Sequence, residues 1–126
     1  MTYDAEQDPA AADWLALDEA KRIVLIENWH RHAGIQSPRA RLHAAIHAVV
    51  ENQIAISEPA VLEAMARLRA QGLTRHDAIH AVGSVVAGQI IDLIKAPVGR
   101  VPSAAAPYRE RLRSLNAADW RGSGTS

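Results

Sequence analysis

Residues 41–53 read RLHAAIHAVVENQ, in which two histidines stand four positions apart and a glutamate follows four positions after the second. An α-helix advances by about 100° per residue, so residues four apart lie on nearly the same face. The aliphatic stripe of this helix comprises Leu42, Ile46, Val49, Val50 and Ile54. His43 and His47 fall inside the edge of that stripe, and Glu51 lies one step further round. The stretch therefore predicts a helix that directs three potential metal ligands toward the border of a core.

The same histidine spacing recurs at 75–86, RHDAIHAVGSVV. The aliphatic face of this second helix comprises Ile79, Val82, Val86, Ile90 and Leu93. His76 and His80 lie within that face, so they are predicted to point inward. Upstream, Glu27 and His30 are three apart, which is the Glu-x-x-His spacing of carboxylate-bridged metal sites in helical bundles. Three helices thus direct nitrogen and oxygen ligands toward one interior.

Burying so many polar side chains without partners would cost several kcal/mol, so something must satisfy them. Three arrangements would do so: a hydrogen-bond network in the core, a metal ion, or a polar pocket for a small molecule. The candidate metal ligands are His43, His47, Glu51, His76, His80, Glu27 and His30. Imidazole and carboxylate ligands without thiolates favour iron, manganese or zinc. Seven ligands exceed the need of one ion, so a two-metal centre stays open, and no organic cofactor is implied.

Helix start and stop signals divide the rest of the chain. In chain order they are Asp18, Gly34, Ser37 with Pro38, Pro59, Gly72, and Thr74 with Asp77 in a capping box. Side chains such as Asp and Thr cap helix N-termini, proline suits the first helical position, and glycine follows the last. Four main helices with short connections predict an all-α fold, an antiparallel up-and-down bundle with short terminal helices.

The chain divides into three predicted parts. Residues 1–17 form an N-terminal arm with a short helix, and residues 18–95 form the helical bundle with the histidine site. Residues 96–126 contain a Pro/Ala-rich connection over 96–107, a short C-terminal helix and a frayed tail. A length of 126 residues suits one domain.

Composition excludes several classes of protein. The chain has no cysteine, which rules out disulfides and thiolate metal sites, and its formal net charge is zero, with little sign of a basic nucleic-acid-binding face. No unbroken apolar run approaches the roughly 20 residues that span a bilayer. The acidic N-terminus lacks the basic start of a signal peptide. These features predict a cytoplasmic protein without a nucleic-acid or membrane partner, and the short, apolar-rich helices suggest a homodimer.

The segments RLHAAIHAVVENQIA and GLTRHDAIHAVGSVV resemble a bacterial helical family catalogued only as a domain of unknown function. Its members show an H-x-x-x-H motif, a glutamine-containing helix end, a proline-started segment and a second H-x-x-x-H motif. Here these elements are His43, His47, Gln53, Pro59, His76 and His80, within roughly residues 40–90. The resemblance implies a shared histidine site and no particular reaction.

Two functions compete at this stage. The first is a small metal-binding helical bundle, which would either catalyse a reaction or sense or store the ion. The second is a non-catalytic interaction module whose histidines form a structural network and whose partner surface includes Trp14, Leu15, Leu17 and the basic tail. The sequence shows no Ser/His/Asp arrangement, phosphate-binding loop or dinucleotide fingerprint. It therefore assigns neither an enzymatic activity nor a substrate.

Overall fold

The computed structural model describes residues 1–96 and 105–122, and every regular element in these ranges is an α-helix. In chain order the helices are α1 (Ala11–Ala16), α2 (Glu19–His32), α3 (Ala40–Ala55), α4 (Pro59–Ala70), α5 (Arg75–Lys95), α6 (Ala105–Ser114) and α7 (Ala117–Gly122). The predicted all-α class is confirmed. The predicted connection over 96–107 and the predicted tail over 121–126 lie mainly outside the described residues. Where they are described, α6 begins at Ala105 and α7 extends to Gly122, so both segments are shorter than predicted.

The ends of the long helices follow local chemistry. Asp18 and Thr74 each accept a hydrogen bond from the backbone N–H three residues later, as predicted for N-caps. Gly34 and Gly72 follow α2 and α4 with φ angles of 75° and 100°. Residues with a side chain rarely adopt this left-handed conformation, so glycine closes both helices at low cost.

The start of α3 differs from the prediction. Ser37 and Pro38 were expected to open the helix, but α3 begins at Ala40 and its N-cap, Arg39, makes no side-chain cap. The Ser37 hydroxyl instead accepts a bond from the N–H of Arg39, two residues on. Such a short local bond holds a turn rather than a helix N-terminus, so the connection is longer than the sequence suggested.

Helix α3 is the centre of the packing, since it contacts α1, α2, α4 and α5. Its two sides belong to two apolar clusters. Val50 joins the larger cluster with α4, α5 and α6, whereas Ala44 and Ala48 join the smaller one with the N-terminal arm, α1 and α2. Trp14 belongs to the smaller cluster and is fully buried, so it cannot form part of a partner surface.

The apolar faces predicted for α3 and α5 extend beyond the part of each helix that is buried. Leu42 near the start of α3 is 53% exposed, and Ile90 and Leu93 near the end of α5 are each 42% exposed. Periodicity alone predicts which face of a helix is apolar, and among residues 1–96 and 105–122 no side chain buries these positions.

Among the helices of the described residues, α5 qualifies as a membrane span by length and composition. It has an 18-residue stretch of mean hydropathy 1.4, although polar residues interrupt its apolar run. One third of that stretch (33%) is buried inside the protein. The core helix of a globular protein can have the same composition, so the feature is weak evidence for a membrane.

Candidate metal centre

Five of the six histidines come together at the meeting point of three helices. His30 comes from α2, His43 and His47 from α3, and His76 and His80 from α5. The ring centroids of the pairs His43–His47, His43–His80 and His47–His80 are each 4.4 Å apart. The i, i+4 spacing on α3 and α5 places each pair on one face, and the packing of the two helices brings the faces together.

Four of these rings could share one ion. One nitrogen from each of His30, His47, His76 and His80 lies within 4.8 Å of the other three. Imidazole nitrogens bind zinc at about 2.0–2.1 Å, so tetrahedral ligands are about 3.3–3.4 Å apart. Movements of about 1 Å per nitrogen would therefore convert this arrangement into a coordination shell.

Two pairs of imidazole nitrogens are already closer together than two ligands of a tetrahedral zinc ion. His30 Nε2 lies 3.1 Å from His76 Nε2, and His43 Nε2 lies 3.0 Å from His80 Nε2. Each pair can share a proton in a hydrogen bond, or both nitrogens can direct lone pairs toward an ion. His30 Nδ1 lies 2.7 Å from the carbonyl oxygen of Ile26, to which it must donate. In the neutral ring Nε2 then carries the lone pair, and a backbone carbonyl commonly orients metal-binding histidines in this way.

His47 stands apart from the other four. It is 1% exposed, and neither Nδ1 nor Nε2 has a hydrogen-bond partner among the described residues. A buried polar group without a partner costs about 1–3 kcal/mol. Natural cores rarely keep such a group, so His47 is the ring of the cluster whose environment most needs an explanation.

All five rings favour the neutral form that binds metal. Burial lowers the pKa of each from its usual value of 6.5. Burial, with repulsion from neighbouring imidazoles, brings the pKa of His76 to about 4 and that of His80 to about 3. At neutral pH the cluster is therefore a set of uncharged lone-pair donors.

Metal-free protein should lose stability in mild acid. An imidazole whose pKa is lower in the folded than in the unfolded chain takes up a proton on unfolding, at roughly 1.4 kcal/mol per pKa unit. The free energy of unfolding should be constant above the unfolded pKa of 6.5 and fall as the pH drops toward the folded value of about 4 for His76. Urea unfolding with chelator at pH 7.5 and pH 5 measures this. A His76→Gln variant should show a shallower decline, and a pH-independent wild type would contradict the assignment.

The two predicted carboxylate ligands do not join the imidazoles. Glu27 pairs with Arg41 at 2.8 Å, and Glu51 binds both terminal nitrogens of Arg75 at 2.7 and 2.8 Å. The four-nitrogen group contains neither glutamate. Helical spacing predicts the direction of the two glutamates on their own helices. It does not reveal the arginines on other helices, which bind the carboxylate oxygens.

Arg75 and Tyr3 bind the predicted ligand Glu51, and neither residue was predicted from the sequence. Arg75 also binds Asp8 and the carbonyl oxygen of Ala5, and the Tyr3 hydroxyl donates to Glu51. Burial, with the charge of Glu51, raises the pKa of the Tyr3 phenol far above its usual range. Burial opposes the charge of Arg75, yet its bonds to Glu51 outweigh this and raise its pKa. Only burial could have revealed this network, which ties the N-terminal arm to α3 and α5.

Two cavities flank the cluster. A cavity of about 300 Å³ reaches His30 and His43, and a smaller one of about 130 Å³ reaches His43, His47 and His80. The sixth histidine, His32, is exposed at the end of α2 and bonds to the carbonyl oxygen of Asn28. His30, His47 and His76 are buried and His43 and His80 are half-buried, and the cluster lies next to spaces that small molecules could enter.

Comparison of the chain with family models, with curated proteins and with solved structures finds no match. The resemblance of the paired H-x-x-x-H segments to a bacterial helical family stays a prediction. The geometry of the imidazoles is therefore the main indication of function.

Proposed function

We propose that this protein binds one transition-metal ion through imidazole nitrogens of His30, His47, His76 and His80. The observation that carries the proposal is His47, a buried ring with two unpartnered nitrogens in the middle of the cluster. An ion at this point would give His47 a bond, and it would draw on lone pairs that burial keeps unprotonated.

A structural hydrogen-bond network is the competing function of the cluster. The contacts His30–His76 and His43–His80, at 3.1 and 3.0 Å, favour it because neutral imidazoles can pair in this way. The network nevertheless leaves the central ring without a bond. An ion held by His30, His47, His76 and His80 gives the central ring a bond, whereas the network leaves that ring without one.

The donor set narrows the choice of ion. Both nearby glutamates are held by arginines, so the candidate ligands are imidazoles alone. Imidazole suits zinc, copper, iron and nickel, whereas manganese prefers carboxylates and water. We therefore favour zinc or ferrous iron over manganese. The absence of a free bridging carboxylate also favours one ion over a carboxylate-bridged pair.

The substitution His47→Leu separates the two functions by its effect on bound metal. If His47 is a metal ligand, the variant should lose its bound metal, and after chelator treatment it should be more stable than wild type by about 1–3 kcal/mol, because an unpartnered buried polar group is removed. If the histidines form only a structural network, wild type should carry no stoichiometric metal and the variant should not differ from it in metal content.

The experiment compares protein purified without a polyhistidine tag. Bound metal is measured by plasma mass spectrometry, and stability is measured by urea unfolding after chelation. His32→Leu is the matched control, since His32 is exposed and outside the cluster. Wild type should carry about one ion per chain and His32→Leu the same. Metal-free wild type that takes up none of zinc, copper, iron and nickel would overturn the proposal. Equal metal content in His47→Leu and His32→Leu would also overturn it.

A further inference from the structure

The proposed metal centre has an uncompensated charge. Four neutral imidazoles leave the full double positive charge of a divalent ion in a largely buried site, and an unbalanced charge there is costly. Structural and catalytic centres commonly balance it with carboxylates, thiolates or a bound anion. This inference rests on the proposed function.

The side chains around the centre supply negative charge only on the His76 side, where the carboxylates of Asp77 and Glu6 act on that ring. Glu27 and Glu51 are neutralised by Arg41 and Arg75. Glu6 is exposed, and its carboxylate accepts the backbone N–H of His76 at the surface of the arm. The side of the centre formed by His30 and His43 has no unpaired carboxylate among the residues that line its cavity.

That cavity instead has an unpaired cation. Arg31 lines it and is exposed, and it makes no ion pair with any of the described residues. His30 and His43 also line the cavity, together with the apolar side chains of Ile35 and Ala40. Its one carboxylate, that of Glu27, is held in the ion pair with Arg41. A volume of about 300 Å³ is at the lower end of small-molecule sites. The lining therefore combines a positive anchor, an apolar surface and the imidazoles.

We propose that this cavity binds a small organic carboxylate beside the metal centre, where it acts as the counter-anion of the bound ion. Its negative charge lies between Arg31 and the metal-bound side of the cluster and compensates both. Its carbon skeleton packs on Ile35 and Ala40. Guanidinium groups bind carboxylates through short, charge-assisted hydrogen bonds, so Arg31 determines the class of ligand.

Titration calorimetry on zinc-loaded protein tests this with succinate, its neutral diamide and inorganic phosphate as probes. Succinate should bind, the diamide should not, and phosphate should bind more weakly because it has no carbon skeleton. Chelation should weaken succinate binding. Arg31→Gln should lower succinate affinity about tenfold or more, the value of one charge-assisted bond. Arg69→Gln, at an exposed arginine on α4, is the matched control and should bind as wild type does.

Metal content is measured first for every variant, which separates the two proposals. Full zinc content without succinate binding, or with equal affinity in Arg31→Gln and wild type, would overturn the carboxylate site and leave the metal site standing. Stronger binding of phosphate or the diamide would likewise overturn the carboxylate class. Failure of wild type to take up zinc, copper, iron or nickel would overturn both the metal site and the carboxylate site.

Discussion

Replacement of Arg75 by leucine is expected to lower the free energy of unfolding by about 3–5 kcal/mol, because it leaves a buried carboxylate without its partner. The side chains of Arg75 and Glu51 are 2% and 0% exposed, and two hydrogen bonds join them. The variant also loses the bonds from Arg75 to Asp8 and to the Ala5 carbonyl, which hold the N-terminal arm. Chemical unfolding of chelator-treated protein measures the effect.

The double variant Glu51→Leu/Arg75→Leu tests the cause. If the stranded charge dominates, removing both partners should cost less than Arg75→Leu alone. Arg111→Leu is the control, because its pair with Asp92 is exposed, and it should change stability by less than about 1 kcal/mol. A loss below 1 kcal/mol in Arg75→Leu, or costs that simply add in the double variant, would contradict this description of the pair.

Zinc is expected to raise the midpoint of thermal unfolding by about 10–20 °C. An ion at a thousand times its dissociation constant stabilises the folded state by about 4 kcal/mol, and in a domain of this size each kcal/mol corresponds to roughly 3–5 °C. Chelator should reverse the shift. Scanning calorimetry with and without the ion provides the measurement.

Two controls link that shift to the histidines. Calcium, which prefers oxygen ligands, should leave the midpoint unchanged. His80→Gln should abolish most of the zinc effect, whereas His32→Gln should retain it, since His32 lies outside the cluster. A zinc shift of the same size in both variants would mean that the ion binds elsewhere.

The parts of the molecule that depend on local chemistry could be predicted from the sequence. The caps at Asp18 and Thr74 and the glycines after α2 and α4 require only neighbouring residues. The paired histidines could also be predicted to share a face, since their four-residue spacing determines their relative direction. Convergence of α2, α3 and α5 on one point is a result of tertiary packing.

The buried ion pairs and hydrogen bonds that form across the fold could not be predicted. The sequence separates Arg75 from Glu51 by 24 positions, and Tyr3 from Glu51 by 48. No local pattern indicates that Arg75 is buried or that it binds the glutamate before a metal can. The pair of Glu27 with Arg41 could not be predicted for the same reason, because Arg41 lies on another helix.

Some predictions from the sequence stay predictions. The up-and-down antiparallel order of the main helices, a homodimer and a cytoplasmic location belong to this group. None of them is needed for the metal site, because all its candidate ligands come from one chain.

X-ray absorption spectroscopy at the zinc edge of loaded protein is the most direct test of the imidazole site. We expect a first shell of about four nitrogens at about 2.0–2.1 Å, with the outer-shell scattering of imidazole rings. The imidazole signal should weaken in His47→Leu. A shell of oxygen ligands without imidazole scattering, or an unchanged spectrum in that variant, would contradict the account.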